Sequence, residues 1–164
     1  MKLILTLADQ FETLANGKTL ALGLYSDRIV IMVVPEELPP PTTESPYALD
    51  ISVLVTVTDL PSEKMDAAIR IFEPNEAAPV REMRMPGLSV QAGESINVIF
   101  KLSPLLIRGS GVFKVEFEEA STTLTETFEA RVRKEAVADQ PRERESAVRS
   151  RKRLAPKAKK DSEA

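Results

Sequence analysis

Between residues 49 and 132 an apolar side chain recurs at nearly every second position within each segment. An extended chain with one wet face satisfies that period and a helix does not. Ile51, Val53, Val55 and Val57 alternate mostly with Ser52, Thr56 and Thr58. Ile69 and Ile71 follow the Asp59-Leu60-Pro61-Ser62 turn, and Met83 and Met85 form a weaker strand ended by Pro86-Gly87. Ile96, Val98, Phe100 and Leu102 oppose Asn97 and Lys101, while Phe113, Val115 and Phe117 oppose Lys114, Glu116 and Glu118. Leu124, Phe128, Ala130 and Val132 close the series, with Glu126 the one exception on the inward side.

The earlier residues supply strands of a different character. Leu3, Leu5 and Leu7 share one face, Ile4, Thr6 and Ala8 the other, so both faces are largely apolar, as in a central strand. Asn16-Gly17 tolerates the positive φ angles of a type I′ turn and predicts a hairpin with Leu20, Leu22 and Leu24 on one face. The β-branched run at 29–34 reads as another strand. Prolines 35, 39, 40, 41 and 46 then forbid a central strand, so 35–47 is a stiff connection linking two sheets, with a PxxP-type ligand as its alternative role. Strands spaced about ten residues apart, with no comparable helical stripe, predict an all-β fold. The expected architecture is an antiparallel β-sandwich of roughly eight or nine strands, immunoglobulin-like or jelly-roll-like.

The alternation stops at about Arg133. Past Lys134 the only apolar side chains larger than alanine are Val137, Val148 and Leu154, too few to offset the entropy of ordering that segment. Residues 1–133 are therefore expected to form one β-sandwich domain, and 134–164 a disordered basic tail. The first part holds 12 Lys and Arg against 19 Asp and Glu, net −7, and the second 10 against 6, net +4. An acidic body carries a cationic arm.

The composition closes off much chemistry. Without cysteine or histidine there are no disulfides, no thiolate nucleophiles and no Ser-His-Asp arrangement, and any metal would depend on carboxylates alone. Asp9, Asp27, Asp50 and Asp59 sit at expected strand ends, where an Asp caps turns, and none belongs to a calcium-loop spacing. Gly109-Ser110-Gly111 lacks Walker spacing and leads into a strand, so it reads as a hairpin turn. With no Trp and only Tyr25 and Tyr47, an aromatic platform for sugars is hard to assemble. The opening Met1-Lys2-Leu3-Ile4-Leu5-Thr6-Leu7-Ala8 is too short for a secretory signal and is stopped by Asp9. No stretch reaches the ~18 apolar residues of a membrane span. A cytoplasmic setting is expected.

Leu5-Thr6-Leu7-Ala8-Asp9, Asn16-Gly17-Lys18-Thr19-Leu20 and Pro39-Pro40-Pro41 together resemble the front of a family of small bacterial β-rich proteins catalogued as a domain of unknown function. Gly111-Val112-Phe113-Lys114-Val115-Glu116-Phe117 and Phe128-Glu129-Ala130-Arg131-Val132 are similar to its closing hairpin. The resemblance spans about residues 1 to 133 and implies a β-rich fold in a bacterial cytoplasm, with no activity, ligand or catalytic residue. Tyr25-Ser26-Asp27 departs from the glycine-rich stretch expected there, and the basic tail lies outside the pattern.

One cluster has a direct physical consequence. Arg149, Arg151, Lys152, Arg153, Lys157, Lys159 and Lys160 would neutralise phosphates and give salt-sensitive, sequence-independent affinity for nucleic acid. No aromatic interleaves them, so base stacking is not expected. A solubilising arm, or one docked on an acidic body, accounts for them equally. The leading expectation is a non-enzymatic interaction or structural module, without cofactor or metal, that binds a protein partner through a sheet edge or loop surface. A nucleic-acid-associated accessory protein tethered by the tail is the alternative. Strand order and oligomeric state are not encoded in the pattern.

Overall fold

The alternating segments become nine strands among the residues described by the structure, a computed structural model covering 1–16, 18–61, 64–91, 93–120 and 122–135. In chain order these are β1 (Lys2–Thr13), β2 (Thr19–Leu24), β3 (Ile29–Pro35), β4 (Tyr47–Thr58) and β5 (Lys64–Phe72). The remainder are β6 (Pro79–Ser89), β7 (Ile96–Ile107), β8 (Gly111–Glu119) and β9 (Thr122–Glu135). A 3₁₀ turn, Ser26–Arg28, joins β2 to β3.

The strands form two sheets, in the orders β2-β1-β4-β7 and β3-β9-β8-β5-β6. Their inner faces share one core, in which Leu5, Leu7, Val53, Val55 and Phe100 meet Ile69, Ile71, Val115, Phe117 and Phe128. This is a β-sandwich. With β4 beside β7 in one sheet and β5, β8 and β9 consecutive in the other, the order follows strands B-E and C-F-G of an immunoglobulin-like arrangement. Phe113 and Phe128 lie directly opposite each other on β8 and β9, stacked with centroids 4.9 Å apart and planes inclined by 6°.

The sandwich is not antiparallel throughout. β3 runs parallel to β9, from Ile29 beside Glu129 to Pro35 beside Glu135, so the second sheet is mixed. After crossing between sheets in four residues, β3 pairs with a strand that arrives a hundred positions later, and side-chain period does not record strand direction.

Three strands run further than their patterns suggest. β1 passes through Asp9 to Thr13, because that aspartate faces a neighbouring strand instead of ending its own. β6 continues beyond Pro86-Gly87, which an edge strand tolerates; a bulge there leaves Gly87 at φ 63° with its N–H donated to Asp66 Oδ1 at 2.6 Å. β7 carries a bulge at Ser103-Pro104 that shifts its parity by one and returns Leu105 and Ile107 to the core. Ser103 Oγ donates to Asp50 at 2.6 Å beside that bulge.

The connection after β3 does cross between sheets, from Pro35 in one to Tyr47 in the other. Tyr47 Oη donates to the Pro39 carbonyl, and Lys134 Nζ donates to the Leu38 carbonyl at 2.7 Å.

Candidate functional site

The places where chemistry was conceivable turn out to be occupied by local structure. Asp9 accepts the Tyr25 hydroxyl at 2.5 Å, and burial of that phenol, aided by this bond and the negative charge, pushes its pKa up to about 12. Asp27 sits in the 3₁₀ turn at φ 54°, and Asp59 follows β4 at φ 57°. Glu126, the charged exception on the inner side of β9, is matched by Arg28 from the turn before β3. Among the described residues no three acidic side chains gather as metal ligands.

The Gly109-Ser110-Gly111 turn borders a cleft of about 160 Å³ with Glu73, Pro74 and Asn75. Arg108 forms an ion pair with the nearly buried Glu73 there, and Ser110 Oγ accepts the Val132 N–H at 3.3 Å. That cleft is a braced junction of two turns. On the outer face of β5, β6 and β8, Arg70 bonds both Glu82 and Glu118, and Arg84 adds a second cation to Glu82. The bonds to Glu82 and Glu118 raise the Arg70 guanidinium's pKa, and those from Arg70 and Arg84 hold the Glu82 carboxyl below its usual range. This face is a solvated charge ladder.

The sheet edges are not alike. β6 ends one flank with Pro79, Arg81, Glu82, Arg84 and Pro86, and β7 ends its neighbour with Lys101 and Pro104. Charge and proline on an edge discourage further pairing. β2 and β3 form the opposite flank, and neither holds a charged residue. Their outward side chains are apolar and exposed: Leu20, Leu22 and Leu24 at 42, 44 and 63%, Ile31 and Val33 at 48 and 54%.

On β3 the exposed residues also carry the open backbone groups. Glu36 N–H donates to the Glu135 carbonyl at 3.1 Å, whereas Ile29 N–H turns away from β9 to Ser26. Backbone groups alternate sides with period two, so even positions of β3 face β9 and odd positions face the open edge. Ile31 and Val33 therefore present N–H and C=O groups outward from the sheet. On β2 the hairpin bond from Leu14 N–H to the Lys18 carbonyl at 2.8 Å, with Thr13 opposite Thr19, turns the backbone of Leu20 and Leu22 toward β1, so these leucines contribute exposed side chains to the flank. Ile31 and Val33 thus combine an exposed apolar side chain with backbone groups that no other described strand engages.

β3 is firmly held even though its rim is open. Val30 and Val34 are buried in the core, at 1 and 7% exposure. Beside it on β9, Arg131 chelates Glu129 at 2.7 Å and Arg133 meets Glu135 at 3.2 Å, so the charges next to Ile31 and Val33 are compensated locally. The Arg131 guanidinium holds the Glu129 carboxyl below its usual range.

No protein-family model matches this chain, and no curated protein does either. The site is therefore read from its own geometry. The cations singled out in the sequence, Arg149, Arg151, Lys152, Arg153, Lys157, Lys159 and Lys160, lie outside the described residues. Sequence reasoning found strand 29–34 but not that it is an edge. The available signal was its lack of charge next to Pro35, a pattern that a buried central strand shares. Among the described residues no helix is long and apolar enough to cross a membrane.

Proposed function

We propose that this chain is a non-enzymatic interaction or structural module whose working surface is the uncharged flank formed by β2 and β3. The observation that carries this reading is the coincidence, at Ile31 and Val33, of exposed apolar side chains with outward backbone donors and acceptors. An extended strand laid along that rim would complete the ladder and cover the side chains together. Membership of the small bacterial family that the front motifs resemble, and a cytoplasmic setting, belong to the same reading.

The test is capture of partners by the full chain and by Val33→Lys and Leu22→Lys. Loss of the same partners in both variants, with no loss in Met83→Lys on β6, is expected. Retention of every partner by both edge variants would refute it.

The cation cluster at 149–160 favours a second reading, a nucleic-acid-associated accessory protein tethered by its tail. Counterion release would make that binding fall steeply with salt. Retention of DNA or RNA by the full chain and by a 1–135 truncation over a salt series decides it. Equal retention at low salt would end the tether reading.

A further inference from the structure

We infer that the strand completing β3 is β3 of a second copy of this chain, paired antiparallel about a two-fold axis at Met32. This rests on the edge reading above and names its occupant. A two-fold axis lays the strand against a copy of itself, so any charge on it appears twice within a few residues of the same seam. β3 has none along its seven residues, and the flanking charges of β9 are already matched within their own strand.

The register follows from which groups are free. With the axis at Met32, Ile31 of one copy lies opposite Val33 of the other, and the reverse. Both are outward-facing positions, so each pair exchanges two N–H···O=C bonds, four in all. The next pair outward sets Ile29 against Pro35. Ile29 N–H is already donated to Ser26, and proline has no N–H, so the ladder stops there of its own accord. Moving the axis to Ile31 or Val33 adds no bonds and sets a blocked group, Ile29 N–H or Pro35, opposite a partner carbonyl that is then left unpaired, so only the Met32 axis gives a ladder whose bonded pairs are all complete.

β2 is the weaker site for a copy, although its rim is also apolar. It is exposed on both faces, with Ala21 and Gly23 on the inner side instead of core residues, whereas β3 is anchored through Val30 and Val34. Pairing through β3 joins the two mixed sheets into one continuous sheet. It also covers Ile31 and Val33 on its outer face.

The two bodies carry net negative charge, −7 each over residues 1–133. Association held by apolar contact and backbone bonds therefore strengthens as salt screens their repulsion. A tail bound to phosphate responds in the opposite sense.

The experiment is sedimentation velocity of the full chain from about 1 to about 200 µM, a range that spans assembly of modest interfaces. It is run at about 0.05 and about 0.5 M salt, which changes the screening length severalfold. Wild-type chain is expected to dimerise, more tightly at high salt. Val33→Lys and, independently, Ile31→Lys are expected to weaken the dimer about tenfold or more, with unchanged thermal melting of the dilute monomer because both side chains are half exposed. Met83→Lys leaves it unaltered. A wild-type chain that stays monomeric throughout, or a dimer indifferent to both β3 variants, overturns the inference. A monomeric wild type whose captured partners are still lost in Val33→Lys overturns self-pairing alone and leaves the edge as a site for a foreign strand.

Discussion

Stacking of Phe113 on Phe128 ties the last hairpin to the core, and a double-mutant cycle on that pair tests the packing most directly. Both rings are 2% exposed and directly opposed across β8 and β9, with centroids 4.9 Å apart. Truncation of a buried Phe to Ala costs about 3–5 kcal/mol, and two such losses would approach the whole stability of a domain, about 5–15 kcal/mol. Leucine keeps most of the volume and removes the stacked face, so each single Phe→Leu change is expected to cost about 1–2 kcal/mol. Aromatic pairs contribute about 0.5–1.5 kcal/mol beyond burial. The double variant should therefore be less destabilised than the sum of the singles by that amount. Urea unfolding of the four proteins at constant m-value measures it. Additive losses, within about 0.3 kcal/mol, would show that the rings do not meet as described and would remove the anchor that holds β9 on β8.

Tyr25→Phe removes the phenol bonded to Asp9 and should cost about 1 kcal/mol near neutral pH, discounted because the ring is partly exposed. The folded phenol titrates at about 12 against 10 for the free group, so the unfolded chain loses its proton first. The stabilisation is complete below pH 10 and disappears as pH rises through 12; wild type should lose stability in that window and Tyr25→Phe should lose less, by denaturant unfolding at stepped pH. Gly23→Ala should destabilise by about 1–3 kcal/mol, since Gly23 holds φ 65° in β2 and an added Cβ would run into the Asp9 carboxylate. A thermal melt of Gly23→Ala equal to wild type would contradict that geometry.

The sandwich was legible because one face of each strand is buried, and burial writes itself into period two. Ile69, Val115 and Phe117 were readable on that basis, and each is fully buried. What the period cannot carry is adjacency. The 29–34 run alternates nothing, since Ile31 and Val33 outside are as apolar as Val30 and Val34 inside, and only the three-dimensional order makes it an edge. The hairpin at Asn16 was readable from local turn chemistry, with Lys18 N–H bonded to Asn16 Oδ1 at 3.0 Å and Gly17 itself outside the described residues. Its type was not: Asn16 is not at positive φ, and Leu14 bonds Lys18 where a type I′ turn would set Ala15 opposite Lys18. Its leucine face was visible too, but whether it looked inward was not. Glu126 looked like an error in the pattern until Arg28 arrived from nearly a hundred residues away. Long-range partners and strand direction are properties of the assembled chain, and no window of neighbouring residues contains them.

Folding explains half of β3. Val30 and Val34 must be apolar because they enter the core, but Ile31 and Val33 point to solvent, and a polar replacement at a half-exposed position typically shifts stability by under about 0.5 kcal/mol. Nor is the chain short of ways to close an edge, since β6 does so with prolines and alternating charge and β7 with Lys101 and Pro104. The protected flank thus serves as an internal control for the open one. A sandwich that only needed to stay folded would tolerate lysine at Ile31 or Val33 and gain protection from unwanted pairing. Apolar residues there match what a paired strand requires, side chains to bury and a ladder to extend, which is why the β3 rim and not the braced cleft at Arg108 is the surface on which function is sought.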